Sequence, residues 1–294
     1  MRDIDYLDLG ATLYIPATHS NLESVVIGNR YPRLKSIVIC LEDSISHHEL
    51  VIATKNLQKI LQALKAKSNH HYIFIRPRHI ENLKEILCLE NISYIDGFVL
   101  PKITTANLAN FLDLFVRHNF YIMPTLETMD VFDLDKLKQL REILDRMKKN
   151  ILSIRVGSED ILSLIDIRRE SSMIIYDYIP FATILSNIIN TFRPYGYNIS
   201  APVFNSFEEL ETLKEELKRD VALGIVNKTI INPAQIDSVH NAYRVCNNDL
   251  SIAQELLSTD RAILSFNGAM YERSTHLNWA KSIIKRGEIY GTKL

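Results

Sequence analysis

Short apolar runs alternate with longer amphipathic segments along most of the chain. Each run is five or six residues long and almost continuously apolar, which is typical of parallel strands that are covered on both faces. The pattern predicts strands at residues 12–17, 36–41, 72–76, 97–101, 121–125, 152–156, 198–203 and 228–232.

The segments between these runs carry apolar residues at helical spacing. The clearest lie at residues 48–67, 106–118 and 134–149, where the apolar positions fall on one helix face. A further helix is predicted to begin at Ser206, because Glu209 stands three residues later, as in a capping box.

Strands that alternate with helices leave few topologies. Right-handed crossovers between parallel strands give either a doubly wound sheet or a closed barrel. Eight repeats, and the absence of a Gly-rich phosphate-binding loop from the sequence, favour the barrel. We therefore predict an α/β chain, with a (β/α)8 TIM barrel at residues 1–249 and a helical extension at residues 250–294. The extension is predicted to break at Phe266-Asn267-Gly268 and to pack on the barrel or on a neighbouring subunit.

Composition and charge narrow the classes of partner. The formal net charge is −1, so no global field favours nucleic acid or an anionic membrane surface. The three cysteines are scattered and lack metal-ligand spacing, which indicates a reducing compartment. The first residues are partly acidic, and the sequence has no run of eighteen apolar residues. These features predict a cytoplasmic protein that binds neither nucleic acid nor membranes.

Charged residues follow several of the predicted strands, where the reactive face of such a barrel is built. They are Glu42, Asp43, Arg76, Arg78, Lys102, Glu127, Glu159 and Asp160. Carboxylates packed closely repel one another unless a cation lies among them, and oxygen ligands without His or Cys suit magnesium rather than zinc. Position alone leaves open the alternative that each acidic residue only caps the helix that follows it.

Many of these residues lie in motifs that resemble those of the citrate lyase β-subunit family, also called the HpcH/HpaI aldolase superfamily. Leu13-Tyr14-Ile15-Pro16 resembles the family's first strand, L-F-V-P-G, and Cys40-Leu41-Glu42-Asp43-Ser44-Ile45 resembles D-L-E-D-A-V. Arg76 stands at the place of R-V-N, Gly97-Phe98-Val99-Leu100-Pro101-Lys102 resembles G-I-V-L-P-K, and Leu126-Glu127-Thr128 shares the last two residues of L-I-E-T. Gly157-Ser158-Glu159-Asp160-Ile161 is similar to G-A-E-D-L, and Lys228-Thr229-Ile230-Ile231-Asn232-Pro233-Ala234-Gln235 is similar to K-x-x-I-H-P-x-Q.

The resemblance implies a magnesium-dependent carbon–carbon lyase or aldolase that acts on 3-hydroxyacids or their coenzyme A thioesters. It implies that Glu127 and Asp160 hold the metal, that Arg76 contacts the substrate's oxygens, and that an acidic pair supports metal-bound water. The predicted catalytic residues are Glu42, Asp43, Arg76 and Glu272, and the predicted substrate-binding residues are Arg76, Arg78, Pro101 and Lys102.

The chain departs from the family at some of these motifs. Ala17 replaces the Gly after the first-strand Pro, which argues against a coenzyme A cleft, because that Gly lets the backbone approach a ligand closely. Pro77-Arg78 replaces Val-Asn, Asn232 replaces His, and extra residues lengthen the helix between the predicted metal ligands. Glu272 replaces the Asp of a G-x-M-V-D motif, which in some members reaches a neighbouring subunit's active site. Together these changes resemble a divergent branch found among the biosynthetic genes of bacterial tellurite-resistance clusters.

Two functions of different classes remain open. The first is a lyase or aldolase for a small carboxylate substrate, with or without coenzyme A, whose base is Glu272 of a neighbouring subunit or metal-bound hydroxide. The second is a non-catalytic metal-binding or assembly subunit of a biosynthetic complex, which the departures favour. In both cases the apolar residues of the extension predict a homo-oligomer, and the resemblance favours a trimer.

Overall fold

The computed structural model describes residues 2–66 and 71–293 and has the predicted α/β barrel fold. Lys67, the last residue of the helix predicted at 48–67, and Leu294, the last residue of the predicted extension, lie outside the described residues. Within the described ranges, no helix is long and apolar enough to cross a membrane.

Seven parallel strands form one continuous sheet. They are β1 (Ala11–Pro16), β2 (Ser36–Cys40), β3 (Tyr72–Arg76), β4 (Gly97–Leu100), β5 (Tyr121–Leu126), β6 (Arg155–Val156) and β7 (Lys228–Ile230). Their order is β6-β5-β4-β3-β2-β1-β7, so β1 to β6 pair in sequence and β7 returns to the free edge of β1. Seven of the eight predicted strands are confirmed, although β6 is much shorter than residues 152–156.

The segment at residues 198–203 fills the gap between β6 and β7, but it forms single bridges instead of a strand. Ile199 bridges Ile154 and Ala201 bridges Lys228, both in parallel. The N–H of Ile154 donates to the Asn198 carbonyl at 2.7 Å. The bridges close the ring of strands, so the predicted place of this segment is right and the predicted regular strand is wrong. Pro202 follows the bridged residue Ala201, and the strand pairing cannot extend through Pro202 because proline has no N–H.

Alternate residues of the strands face opposite sides of the ring. One cluster inside the ring includes Val38, Phe74, Val99 and Met123. Their neighbours Ile37, Ile73, Phe98 and Ile122 belong to a larger cluster that also contains the helices. Because side chains alternate along a strand, residues two positions further along also face inward. Arg76 on β3 and Thr125 on β5 therefore lie above the inner cluster, toward the carboxyl ends of the strands.

Helices surround the ring. They are α1 (Leu22–Val26), α2 (Leu50–Ala66), α3 (Ile80–Leu87), α4 (Leu108–Phe115), α5 (Leu134–Leu144), α6 (Ser158–Ser163), α7 (Ile179–Phe192), α8 (Leu210–Ala222) and α9 (Ile236–Tyr243). The predicted helices at 48–67, 106–118 and 134–149 are confirmed, and the last of them continues beyond α5 as the 3-10 helix Asp145–Asn150. The helix predicted to begin at Ser206 begins at Leu210 instead. The Ser206 hydroxyl accepts the N–H groups of Glu208 and Glu209, each at 3.3 Å, in a turn ahead of α8.

The C-terminal extension is largely helical, as predicted, but it contains a β-hairpin. This part of the chain contains β8 (Val245–Cys246), which precedes the predicted extension, and α10 (Asn247–Ser258), which spans its predicted start at residue 250. Within the extension follow β9 (Ile263–Phe266), β10 (Ala269–Glu272), α11 (Arg273–Tyr290) and β11 (Thr292–Lys293). The predicted break is the hairpin turn, where Asn267 and Gly268 have φ values of 50° and 78°. Asn-Gly favours this mirror-image turn because both central residues need positive φ. The boundary at residue 249 stays a prediction.

The extension packs on the amino-terminal end of the barrel. Helix α11 lies against the 3-10 helix Tyr6–Leu9, which directly precedes β1, and the Tyr290 hydroxyl donates to the Leu7 carbonyl. Within the extension, α10, β9 and α11 bury a small apolar cluster of their own. Ile263 and Met270 on the hairpin remain 55% and 61% exposed, so the hairpin keeps an apolar surface.

His240 on α9 should make the barrel sensitive to acid. Its Nε2 atom accepts the N–H of Ala11 at 3.4 Å, and burial, followed by repulsion from Lys35 and Arg33, lowers the pKa of His240 to about 4. Between about pH 6.5 and pH 4 the unfolded chain binds a proton at His240 that the folded chain does not bind. The folded state is therefore fully stable with respect to this group above about pH 6.5, and it loses stability as the pH falls toward 4.

We expect the free energy of unfolding to fall by about 2 kcal/mol from this group between pH 7 and pH 5. Urea unfolding at both pH values should show this loss in the wild-type protein, and His240→Gln should remove most of it. Equal pH dependence in the two proteins would contradict the assignment.

Candidate active site

A cavity of about 220 Å³ lies at the carboxyl ends of the strands. Four residues predicted from the sequence line it, and each comes from a different strand end: Asp43, Arg76, Glu127 and Asp160. The structure therefore brings together side chains that are far apart along the chain. This convergence is what a parallel barrel produces, because all of its strands end on one rim.

Glu127 is buried just beyond the end of β5, with 4% of its surface exposed. It continues the inward alternation of Met123 and Thr125, and its Oε1 atom accepts the N–H of Lys102 at 2.8 Å. Burial is the main cause that raises the pKa of Glu127 to about 7, and the negative charges of Asp160 and Asp43 act in the same direction. The charge of Arg76 and the N–H of Lys102 oppose this shift but do not offset the effect of burial on the pKa.

Gly157 allows the backbone to pass directly beside Glu127. A Cβ atom at this position would lie 2.1 Å from Oε2 and 2.6 Å from Cβ of Glu127, so any larger residue would displace the carboxylate. The glycine in the Gly157-Ser158-Glu159-Asp160 motif therefore leaves room for the Glu127 carboxylate. Oε2 of Glu127 accepts no hydrogen bond from the part of the chain that the structure describes.

Asp160 lies in the first turn of α6, three residues after Gly157. Its side chain is 36% exposed, and its Oδ1 atom is 3.8 Å from Nζ of Lys102. Burial and then the charge of Asp43 raise the pKa of Asp160, while Lys102 and Arg76 oppose this shift. Both predicted metal ligands therefore have raised pKa values, as expected for carboxylates grouped at a site for a cation.

The acidic pair Glu42-Asp43 lies against two cations. Arg76 contacts Glu42 and donates from Nη2 to Oδ2 of Asp43 at 2.6 Å. Nζ of Lys102 lies 3.0 Å from Oε1 of Glu42 and 2.9 Å from Oδ1 of Asp43. Glu42 is buried, and its Oε2 also accepts the N–H of Asp43 at 2.9 Å. The pair fixes the position of Arg76 at the edge of the cavity.

Lys102 adopts a left-handed backbone conformation, with φ of 49°. Such a conformation is uncommon for residues other than Gly, Asn and Asp and costs energy that the surroundings must offset. Here it belongs to the residue whose N–H binds Glu127 and whose ammonium group binds the acidic pair. The strained residue thus connects the predicted metal ligand to the predicted acidic pair.

Five predicted site residues lie outside the cavity lining: Glu42 and Lys102, which contact lining residues as described above, and Arg78, Pro101 and Glu272. Arg78 donates from both Nη atoms to the Ile45 carbonyl, at 3.1 and 2.8 Å, and Pro101 is buried between β4 and Lys102. Glu272 ends the hairpin of the extension, which packs on the opposite end of the barrel. Glu272 is not among the residues that line the cavity of its own chain, so its predicted role requires a second chain.

The sequence interpretation missed the polar residues at the deep end of the cavity. Arg155 on β6 and Tyr14 on β1 line it, together with Thr125 and Thr229. Arg155 is 2% exposed, which is unusual for a guanidinium. The signal was present in the sequence, because a charged residue inside a short apolar strand must either face a site or have a buried partner.

The donor set fits a magnesium ion. Within residues 2–66 and 71–293, no group of three or more His, Cys, Asp and Glu side chains is arranged to hold a metal. Magnesium needs only one or two protein carboxylates, because water and substrate oxygens complete its shell. Glu127 and Asp160, which both line the cavity, meet this smaller requirement.

Comparison with protein families gives a match over almost the whole chain. The model of a family described as carbon–carbon bond lyases of the TIM-barrel fold matches residues 3–292. The comparison with curated proteins found no match.

Solved structures of similar fold include several citrate lyase β-subunit proteins. The protein CitE from Mycobacterium tuberculosis, in complex with magnesium, acetoacetate and coenzyme A, is 18% identical over 96% of this chain and 99% of its own, with a TM-score of 0.70. A citrate lyase from Burkholderia xenovorans LB400 is 16% identical over 97% of this chain and 93% of its own, with a TM-score of 0.73. RipC from Yersinia pestis is 17% identical over 81% of this chain and 96% of its own, with a TM-score of 0.61. At such identities the likeness shows the barrel fold alone.

Proposed function

We propose that this chain, which belongs to the carbon–carbon bond lyase family of the TIM-barrel fold, is a magnesium-dependent lyase or aldolase for a carboxylate-bearing 3-hydroxyacid or its acyl thioester. The observation that carries the proposal is the convergence of Glu127, Asp160 and Arg76 on one cavity at the barrel rim. Two carboxylates with raised pKa values next to a guanidinium are suited to holding a cation together with an anionic substrate.

Glu127 and Asp160 would hold the metal. When bound there, magnesium would supply positive charge to a carbonyl or enolate oxygen of the substrate. The N–H of Lys102 fixes Oε1 of Glu127 and so leaves Oε2 for this purpose. Arg76, anchored by Glu42 and Asp43, would direct its remaining N–H groups to the substrate's carboxylate, where a guanidinium can form two parallel hydrogen bonds.

The reaction in the cleavage direction needs a base and a proton donor. The base removes the proton of the 3-hydroxyl group, and the bond between carbons 2 and 3 breaks. The oxygen's electrons form the new carbonyl, and the electron pair of the broken bond passes to carbon 2, which leaves as an enolate and is then protonated. We assign the base to Glu272 of a neighbouring chain, because the extension carries this residue away from its own cavity.

The ligands of the solved relatives support a small carboxylate substrate. Besides the complex that holds acetoacetate and coenzyme A, a citrate lyase β subunit from M. tuberculosis was solved with oxaloacetate and magnesium. The use of the thioester requires a cleft for coenzyme A. Ala17, fully buried after the end of β1, argues against such a cleft, because it replaces a Gly that lets the backbone approach a ligand closely.

Turnover of a substrate panel tests the proposed function. With magnesium present, at least one member of a panel of 3-hydroxyacids and their coenzyme A thioesters should release a carbonyl product, detected as its hydrazone. Chelation of magnesium should stop the reaction, and added magnesium should restore it. Turnover that survives complete chelation would contradict the proposal.

A non-catalytic or assembly subunit is the second candidate. The Asn232 side chain, at the position of the family's His, is engaged in a capping box and accepts the N–H of Ala234 at 2.9 Å. Arg78 is likewise committed to the Ile45 carbonyl. Two residues near the reactive face thus have structural partners. A protein that binds magnesium and turns over no member of the panel would support this candidate.

Mixing two inactive variants tests the donated base. We propose a homo-oligomer, with a trimer favoured, in which Glu272 of one chain completes the cavity of the next. A Glu272→Ala chain and a Glu127→Gln chain should each be inactive alone, and mixed oligomers should regain part of the activity, because some cavities then receive both intact residues. Light scattering should show the oligomer. A monomer, or freely exchanging mixtures that stay inactive, would contradict the donation.

A further inference from the structure

Arg155 is a buried cation without a carboxylate partner in the described part of the chain. Its Nη1 atom donates to Oγ1 of Thr229 at 2.9 Å and to Oγ of Ser200 at 3.3 Å. Its Nη2 atom donates to Oγ1 of Thr12 at 3.1 Å and contacts Sδ of Met123 at 3.4 Å. All four groups are neutral, and burial lowers the pKa of Arg155.

Two other buried cations of the barrel do have carboxylate partners. Lys228 lies 2.9 Å from carboxylate oxygens of both Glu216 and Asp220, and Arg169 also pairs with Glu216. Burying a charge is costly unless an opposite charge accompanies it. Hydroxyl groups solvate the guanidinium of Arg155 but leave its charge uncompensated. Because Arg155 lines the cavity, an anionic ligand can reach it.

Tyr14 adds a second donor beside Arg155. The Tyr14 ring centroid lies 5.6 Å from Cζ of Arg155 and 5.9 Å from Cζ of Arg76, so the ring lies near both the deep cation and the cation at the rim. Its hydroxyl makes no hydrogen bond with any described residue, and the side chain lines the cavity. Burial raises the pKa of Tyr14, which keeps the phenol protonated as a donor. The similar family motif has Phe at this position.

The cavity is therefore polarised from its mouth to its floor. Glu127 and Asp160 bring two carboxylates to the mouth, beside Arg76, whereas no carboxylate lies among the lining residues of the floor, which carries the charge of Arg155 and the hydroxyl of Tyr14. A volume of about 220 Å³ suits a small acid rather than a bulky group. An occupant that satisfies both ends needs oxygen atoms at the mouth and a second anion at the floor.

We propose that Tyr14 and Arg155 form a second anion subsite, which binds a second carboxylate of the substrate and makes the enzyme selective for dicarboxylic hydroxyacids. This inference rests on the proposed function, because it places the other end of the substrate at Glu127 and Asp160. It differs from the roles predicted for Arg76 and Lys102, which act at the rim.

Titration calorimetry with two matched acids tests the subsite. Malate and 2-hydroxybutanoate have the same carbon chain, but only malate has a carboxylate at the far end. The magnesium-loaded wild-type protein should bind malate at least ~10-fold more tightly, since a hydrogen bond to a charged group contributes about that much. Tyr14→Phe should reduce this preference several-fold, and Arg155→Met should abolish it, while 2-hydroxybutanoate affinity stays nearly constant in both.

Tyr243→Phe is the matched control. Its hydroxyl is buried and has no hydrogen-bond partner among the described residues, but it lies outside the cavity, so the preference for malate should not change. If Arg155→Met fails to fold, Tyr14→Phe decides alone, because it removes a single oxygen atom.

Magnesium titration without either acid separates a failure of the proposed function from a failure of the second subsite. A protein that does not bind magnesium contradicts the proposed function. A protein that binds magnesium but shows no preference for malate, binds neither acid, or keeps the full preference after Tyr14→Phe overturns the second subsite and leaves the proposed function standing.

Discussion

Replacing Glu127 by glutamine is expected to lower the affinity for magnesium at least ~100-fold, beyond the ~10–100-fold typical of residues that only orient a ligand. The change keeps the size of the side chain and the acceptor for the Lys102 N–H, but it removes the charge of one of two carboxylates. Lyase activity at a fixed low magnesium concentration should fall in parallel. Isothermal titration with magnesium chloride measures the affinity directly.

Glu159→Gln is the matched control for this experiment. Glu159 precedes Asp160 and also lines the cavity, but its carboxylate accepts a hydrogen bond from Asn205 at 3.2 Å. We expect only a small change in its magnesium affinity. Glu127→Gln should leave the metal-free protein at least as stable as the wild type, because the buried carboxylate has a raised pKa and is costly to keep charged. Equal losses in the two variants would contradict the assigned ligand.

Replacing Arg76 by lysine is expected to lower kcat/KM by ~100-fold or more for the substrate that the panel identifies. Loss of the paired hydrogen bonds between a guanidinium and a charged carboxylate costs up to about 3 kcal/mol, which is a factor of about 100. Lysine keeps the charge but loses the planar fork, so it cannot hold the Glu42-Asp43 pair and a carboxylate at the same time. Steady-state kinetics at saturating magnesium measures the effect.

Arg141→Lys provides the comparison. Arg141 stacks on the Tyr195 ring, with Cζ 3.6 Å from the centroid, and it lies outside the cavity lining. The same chemical change should leave kcat/KM unchanged there. Retention of more than half of the wild-type kcat/KM by Arg76→Lys would show that Arg76 does not bind the reacting part of the substrate.

The convergence of Glu127 and Asp160 was predictable because it depends on strand ends. In a parallel barrel, residues that follow the strands meet on one rim whatever the length of the helices between them. Glu127 and Asp160 could therefore be placed together without knowing the helices. The alternation along β5 also places Glu127 inside the ring, two positions after Thr125.

Other features depended on contacts that no local pattern records. Arg155 lies in a two-residue strand, and its neutral partners come from segments far along the chain. Lys228 was predicted, correctly, as the first residue of a strand, but the sequence did not predict that its ammonium group pairs with Glu216 and Asp220 on α8. By contrast, the dipeptide Asn267-Gly268 is a local sequence signal for a β-hairpin turn. The sequence analysis predicted only a break in the helix there, and not the hairpin.

Anomalous diffraction from a crystal soaked in manganese(II), which shares the preference of magnesium for oxygen ligands, tests the central claim most directly. We expect one strong peak in the cavity of the wild-type protein, within coordination distance of carboxylate oxygens of both Glu127 and Asp160, and none there in Glu127→Gln. A strong peak elsewhere, or a cavity without a peak in the wild-type protein, would contradict the claim.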